Sequence, residues 1–191
     1  MLAKNHFVKI RKEYASYEEA RREVVKRSGD ALAFSKQAIF ALHRNDFAAA
    51  QKLLLEARQI QQKLKKKLTR VPGLVWEGSY RAMLEEFAEA SLYFDFLKNR
   101  QLGPVAAEGI DADAYLGGLM DATGEIVRHA VLAATQGDTR EASRSYRVVE
   151  AILGELTLLN ITGPLRPKYD QAKNNLRKLE EIMYDLSIRK R

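Results

Sequence analysis

Carboxylates at helical spacing are the residues of this chain best placed to do chemistry. Glu86 and Glu89 stand three residues apart and share a helix face with Tyr93, with Glu85 at its edge; Asp121 and Glu125 stand four apart. Two such pairs facing each other across a helix interface gather four oxygen-bearing side chains, the donor set that Mg²⁺ or Mn²⁺ prefers. Gly117 and Gly118 lie one turn before Asp121. A glycine inside a helix costs about 1 kcal/mol relative to alanine, so this pair points to close approach by another backbone or by a ligand. Acidic pairs on helices are common and usually hydrated. Here the stripe of Glu86 and Glu89 continues into Tyr93 and Phe96, so their face is expected to point inward, where unpaired carboxylates are costly and a cation relieves them. The rival inward explanation is an ion pair with Arg81 or Arg128.

Other chemistries find little support. The chain carries no GxxxxGK[ST] phosphate loop, no GxGxxG, no HExxH and no GxSxG elbow. His6, His43 and His129 are too scattered for a histidine metal cluster. Carboxylate-bridged di-iron bundles use Glu-x-x-His, and Glu125 to His129 has one residue too many, which leaves that reading a minor alternative. A lone histidine at an apolar stripe, such as His43, is more often a buried, hydrogen-bonded helix residue. With no cysteine at all, disulfide scaffolds, thiol chemistry and cysteine zinc sites are excluded.

The elements that must position these acids read as helices. Four prolines and long stretches of Ala, Leu, Glu, Lys and Arg leave little room for strands. A first helix is expected over residues 17–44 behind a Ser16 cap, with Gly29 weakening it, and a second over 47–69 after Asn45-Asp46. Val71-Pro72-Gly73 separates it from a third at about 74–99, and the loop NRQLGPVAAEG precedes a fourth at about 111–135. Gly137-Asp138 opens a fifth, about 139–158, and the last runs from beyond Pro164 to about 188. The fold class is therefore all-α, an elongated antiparallel bundle of six to seven helices in one domain, 1–191. The third helix is apolar around nearly its whole circumference (Phe87, Leu92, Tyr93, Phe94, Phe96, Leu97), which predicts a subunit interface. Leu176, Leu179, Met183 and Leu186 make a second such stripe.

The 191 residues suffice for a core without covalent staples, and a net charge of +7, from 32 Lys and Arg against 25 Asp and Glu, favours a polyanionic partner. Basic residues gather at 11–27, at the terminal Arg189, Lys190 and Arg191, and at 63–70, where KLKKKLTR holds five positive charges. That last run is either a solvated helix face or a phosphate-binding patch of Lys65, Lys66, Lys67 and Arg70. No stretch approaches a membrane-spanning helix and no secretory apolar region opens the chain, so a cytoplasmic protein is expected.

The tail KYDQAKNNLRKLEEIMYDLSIRKR closely resembles the C-terminal helix of translin. SKQAIFALHR at 35–44, EEFAEA at 85–90, YLGGLMDATGEIVR at 115–128 and the turn NITGP at 160–164 resemble its partner, translin-associated factor X (Trax). The blocks occur in order over almost the whole chain, and the chain is identified as a Trax-like member of the translin family. The resemblance implies that Glu86, Glu89, Asp121 and Glu125 are the acids that bind catalytic Mg²⁺, with Mn²⁺ possible, for RNA cleavage. It implies a metal-dependent endoribonuclease that cleaves single-stranded RNA inside a homo-oligomeric shell, an octamer with its acids facing the cavity. The competing reading is a non-catalytic shell that binds RNA or single-stranded DNA.

Overall fold

The computed structural model describes residues 3–98 and 101–188. Among them are six α-helices and no strand: α1 (Lys4–His43), α2 (Phe47–Leu68), α3 (Gly78–Lys98), α4 (Ala112–Thr135), α5 (Thr139–Thr157) and α6 (Arg166–Ile188). The all-α bundle is as expected. Asn99 and Arg100 of the expected loop, and the basic trio Arg189, Lys190 and Arg191, lie outside the described residues.

Two helix starts differ from expectation. α1 begins at Lys4, not at residue 17, and runs through Ser16 without using it as a cap. Residues 4–16 contain strong helix formers and neither Gly nor Pro, so nothing stops the helix. α3 begins at Gly78, not at 74, because Pro72–Trp76 form a separate 3₁₀ turn. Elsewhere the punctuation behaves as read. Asp46, Asp111 and Asp138 each accept a hydrogen bond from the backbone N–H three residues on (3.0, 2.9 and 3.0 Å), capping α2, α4 and α5. Asn45 takes the left-handed φ of 58° that turns the chain from α1 into α2.

α2 folds back along α1, α3 packs on α1, and α4 packs on α3 while also supporting α5 and α6. One core (Val24, Ala31, Ala57, Leu64, Met83, Leu84, Phe87) fills the space among α1, α2 and α3. A second (Leu42, Tyr93, Phe96, Met120, Ile126, Val149, Leu156, Leu179) joins the end of α1 to α3 through α6.

The apolar girdle of α3 is therefore covered within the single chain. Phe87, Leu92, Tyr93 and Phe96 are all at most 4% exposed, and Phe94 and Leu97 are half-buried. The premise for expecting a subunit interface here, that one chain cannot cover this helix, is overturned: α1 and α4 pack on α3 and bury most of its apolar residues. Leu179 of the α6 stripe is buried too, while Leu176, Met183 and Leu186 are partly covered. The exposed apolar residues lie elsewhere, most coherently at Phe7, Ile10, Tyr14 and Tyr17 on the part of α1 that precedes its first buried residue, Ala20.

Candidate functional site

The crossing of α3 and α4 is set by Gly118. A Cβ at that position would stand 2.6 Å from the Ala88 Cβ and 2.7 Å from both the Glu85 carbonyl oxygen and the Glu89 backbone nitrogen. At Gly117 it would meet the Glu85 side chain at 3.0 Å. The glycine pair thus marks close approach by another backbone, and that approach sets the acids of α3 against those one turn further along α4. Beneath them the Asn175 side chain of α6 donates to the Thr123 hydroxyl (2.8 Å), which donates in turn to the Met120 carbonyl (2.6 Å). Thr123 therefore faces inward as a structural residue, while Asp121 and Glu125 border the cleft.

The four expected acids share one electrostatic environment. The Glu89 carboxyl is pushed up to about 8, first by burial and then by Glu86, Asp121 and Glu125. Burial also raises Glu86, against the opposing charge of Lys36. Each acid other than Glu89 has a basic partner. Lys36 of α1 lies 3.8 Å from Glu86, Lys168 of α6 bonds Asp121 and reaches Glu85 at 3.2 Å, and His43 Nε2 lies 2.6 Å from Glu125. Burial tends to lower the Lys168 ammonium, but Asp121 and Glu85 outweigh it and hold it above its usual value. Among the described residues Glu89 has neither a hydrogen-bond nor an ion-pair partner.

The anticipated ion-pair partners are not the ones found. Arg81 instead forms a two-pronged pair with Asp111 (2.7 and 2.8 Å), and Arg128 has no ion pair among the described residues. His43 is hydrogen-bonded and largely buried, as a lone helix histidine was expected to be, yet it belongs to the site. In the tautomer that satisfies both contacts, Nε2–H donates to Glu125 and Nδ1 accepts from the Tyr93 hydroxyl at 3.3 Å. Burial holds this imidazole below its ordinary value although Glu125 opposes the shift. Lys36 and Lys168 were not foreseen. Lys168 lies 47 residues from Asp121, so no helical spacing could have joined them.

By chemistry the donor set is of the kind a hard divalent cation prefers, since it offers only oxygens and includes a carboxyl without a hydrogen-bond or ion-pair partner among the described residues. Among the described residues, however, no three His, Asp or Glu side chains are arranged to hold a metal ion together. The basic run of α2 is a separate surface. There Lys65 pairs with Glu108 and Lys67 with Glu23, while Lys66 and Arg70 are exposed. No helix among the described residues is long and apolar enough to cross a membrane.

Comparison with known proteins puts this geometry in context. The sequence profile of the translin family matches residues 19–190. Translin of Gallus gallus is 36% identical over 81 residues, 42% of this chain and 35% of that protein. Translin of Homo sapiens is 33% identical over 81 residues, 42% of this chain and 36% of that protein. The matched part thus spans little more than a third of the length of these relatives. Among solved structures, apo-NeC3PO superposes with a TM-score of 0.85 at 25% identity, covering 97% of this chain and 98% of that one. AfC3PO in its complex with duplex RNA superposes at 0.88 and 22% identity, covering 96% and 97%, a likeness of fold.

Proposed function

Because this chain belongs to the translin family, we propose that it is a Trax-like, metal-dependent endoribonuclease that cuts RNA, single strands by preference, within a homo-oligomeric shell in the cytoplasm. The observation that carries this reading is Glu89: a largely buried carboxyl with no ion-pair partner among the described residues, on which the charges of Glu86, Asp121 and Glu125 outweigh that of Lys168. A fold does not retain such a group for stability, because uncompensated acids in one cleft cost free energy. The cost is reasonable where a buried carboxyl, protonated while the site is empty, serves to receive a cation in exchange for its proton.

When bound, Mg²⁺ or Mn²⁺ would supply charge to the phosphate oxygens and acidify the attacking water. Glu86, Glu89 and Asp121 would hold it, with Glu125 completing the set or orienting the water. Glu89 would release its proton as the cation arrives. His43, donating to Glu125 and braced by the Tyr93 hydroxyl, fixes that carboxylate's orientation. Lys168 ties α6 to both α3 and α4 and keeps Asp121 on the cleft wall. The exposed Lys66 and Arg70, with Lys65 and Lys67 once their partners exchange for phosphate, would add sequence-independent attraction. The complex of AfC3PO with duplex RNA lends support to RNA as the substrate class.

A non-catalytic shell that binds RNA or single-stranded DNA is the second reading. Its supporting observation is that Lys36, Lys168 and His43 already partner three of the four acids. Incubating purified protein with labelled single-stranded and duplex RNA, each with Mg²⁺, Mn²⁺ or EDTA, separates the two. Cleavage of the single strand that EDTA stops is expected. Binding without cleavage under every condition would establish the shell alone.

A further inference from the structure

A cavity of about 530 Å³ opens beside the acidic cleft and shares His43 and Tyr93 with it. That volume lies within the about 300–1,000 Å³ of small-molecule sites. Its walls are mixed in a particular way. Leu42 and Tyr93 are among its buried apolar residues, Leu132 stands 47% exposed at one side, Asn45 and Gln136 line it, and so do the acids Asp138 and Glu141, the latter paired with His129 and Arg144. Asn45, in the α1–α2 turn, is the one described non-glycine residue with a positive φ.

The register of α4 joins the cavity to the acids. Asp121, Glu125, Arg128 and Leu132 follow at steps of four, three and four residues, which makes them one stripe on one helix face. Along that stripe the chemistry changes from carboxylates, through a guanidinium, to an exposed apolar side chain. Glu125 and Leu132 are separated by about 10 Å of helix. Arg128 is exposed, lacks an ion-pair partner among the described residues, and lies near enough to influence both His43 and Tyr93. An unpaired guanidinium that lines a partly apolar pocket and lies one turn beyond an acidic centre matches a nucleotide: phosphate on the arginine, base against the apolar wall.

We propose that this cavity is the subsite for the RNA nucleotide adjacent to the phosphodiester held at the acidic cleft, with Arg128 as its phosphate contact. The proposal rests on RNA being the ligand of that cleft. It does not depend on cleavage, and it places the path of the strand along α4, away from the basic run of α2.

The test uses a single-stranded RNA oligonucleotide carrying 4-thiouridine, bound to the whole protein in EDTA, irradiated, and mapped by mass spectrometry of the linked peptides. Adducts are expected on residues 128–136 or on Asn45. Fluorescence anisotropy with the same oligonucleotide should show about a tenfold loss of affinity for Arg128→Ala, a smaller loss for Leu132→Ala, and none for Arg177→Ala. All three side chains are solvent-accessible, and unchanged circular dichroism will show that the variants fold. Adducts confined to residues 63–70, or wild-type affinity in Arg128→Ala, would overturn the subsite even if Mg²⁺-dependent cleavage is found. Adducts in the cavity without cleavage under any metal would refute the ribonuclease reading and leave the subsite standing. Failure of the RNA to bind at all would overturn both.

Discussion

Burial and three neighbouring acids hold the Glu89 carboxyl at about 8, against an ordinary 4.5, so it is mostly protonated at pH 7. The native chain binds this proton more tightly than the unfolded chain does. The contribution of Glu89 to stability therefore falls as pH rises from about 4.5 to about 8, and the full penalty is present above that. In EDTA the Tm of the wild type should fall across this window relative to Glu89→Gln, and saturating Mg²⁺ should remove the difference. His43, held neutral by burial, acts in the opposite sense below about 6.5, but it is common to both proteins and cancels in the comparison. Parallel Tm curves for the two proteins would show that Glu89 carries no such strain. At the same scale, Glu86→Ala, Glu89→Ala or Asp121→Ala should each cut RNA cleavage by about 100-fold or more, while RNA affinity in a filter assay stays close to wild type. Full cleavage by the Asp121→Ala protein would remove the acids from the mechanism.

The helix pair α3–α4 depends on glycine where α1 does not. A Cβ at Gly118 would be driven into the backbone and the Ala88 side chain of α3, contacts that no rotamer change relieves. Gly118→Ala is expected to destabilise by about 1–3 kcal/mol, read as a lower urea midpoint, and to impair metal binding because the acids move apart with the helices. Gly29 in α1 meets nothing within 4 Å, so Gly29→Ala should stabilise by about 0.5–1 kcal/mol in the same titration. Equal midpoints for the two variants would mean that α4 can slide on α3 without cost.

Assembly depends on surfaces that the single chain leaves open. α1 is 40 residues long against 19 to 24 for the other five helices, and α2, folding back over its second half, leaves the beginning of α1 unpaired. Phe7, Ile10, Tyr14 and Tyr17 recur there at steps of three, four and three, an exposed apolar stripe suited to a second copy of the chain. Light scattering coupled to size exclusion should give eight times the 21.7 kDa of one chain. The double variant Phe7→Ser with Tyr14→Ser should lower that mass. A wild-type monomer active on RNA would contradict the shell, and an unaltered octamer in the double variant would move its interface away from α1.

What could be read without coordinates was whatever repeats within one helix turn or is set by a neighbouring residue. Helical periodicity, the breaks at Asn45-Asp46 and Gly137-Asp138, the inward stripe of Glu86 and Glu89 and the close approach at Gly118 are all local facts of chain geometry. Local periodicity also shows its limit at α3. A helix apolar on all sides reads the same whether its neighbours come from its own chain or from another, and only packing between α1 and α4 showed that they come from its own. The partners of the acids were likewise hidden. Lys36, His43 and Lys168 reach the cleft from α1 and α6, separated from their acids by 47 residues or more, and such pairings are set by how the helices stack. Spacing in the chain therefore determined which side chains share a face. Tertiary packing alone decided which charges those faces meet, because Coulomb interactions depend on distance in space and are strengthened by burial.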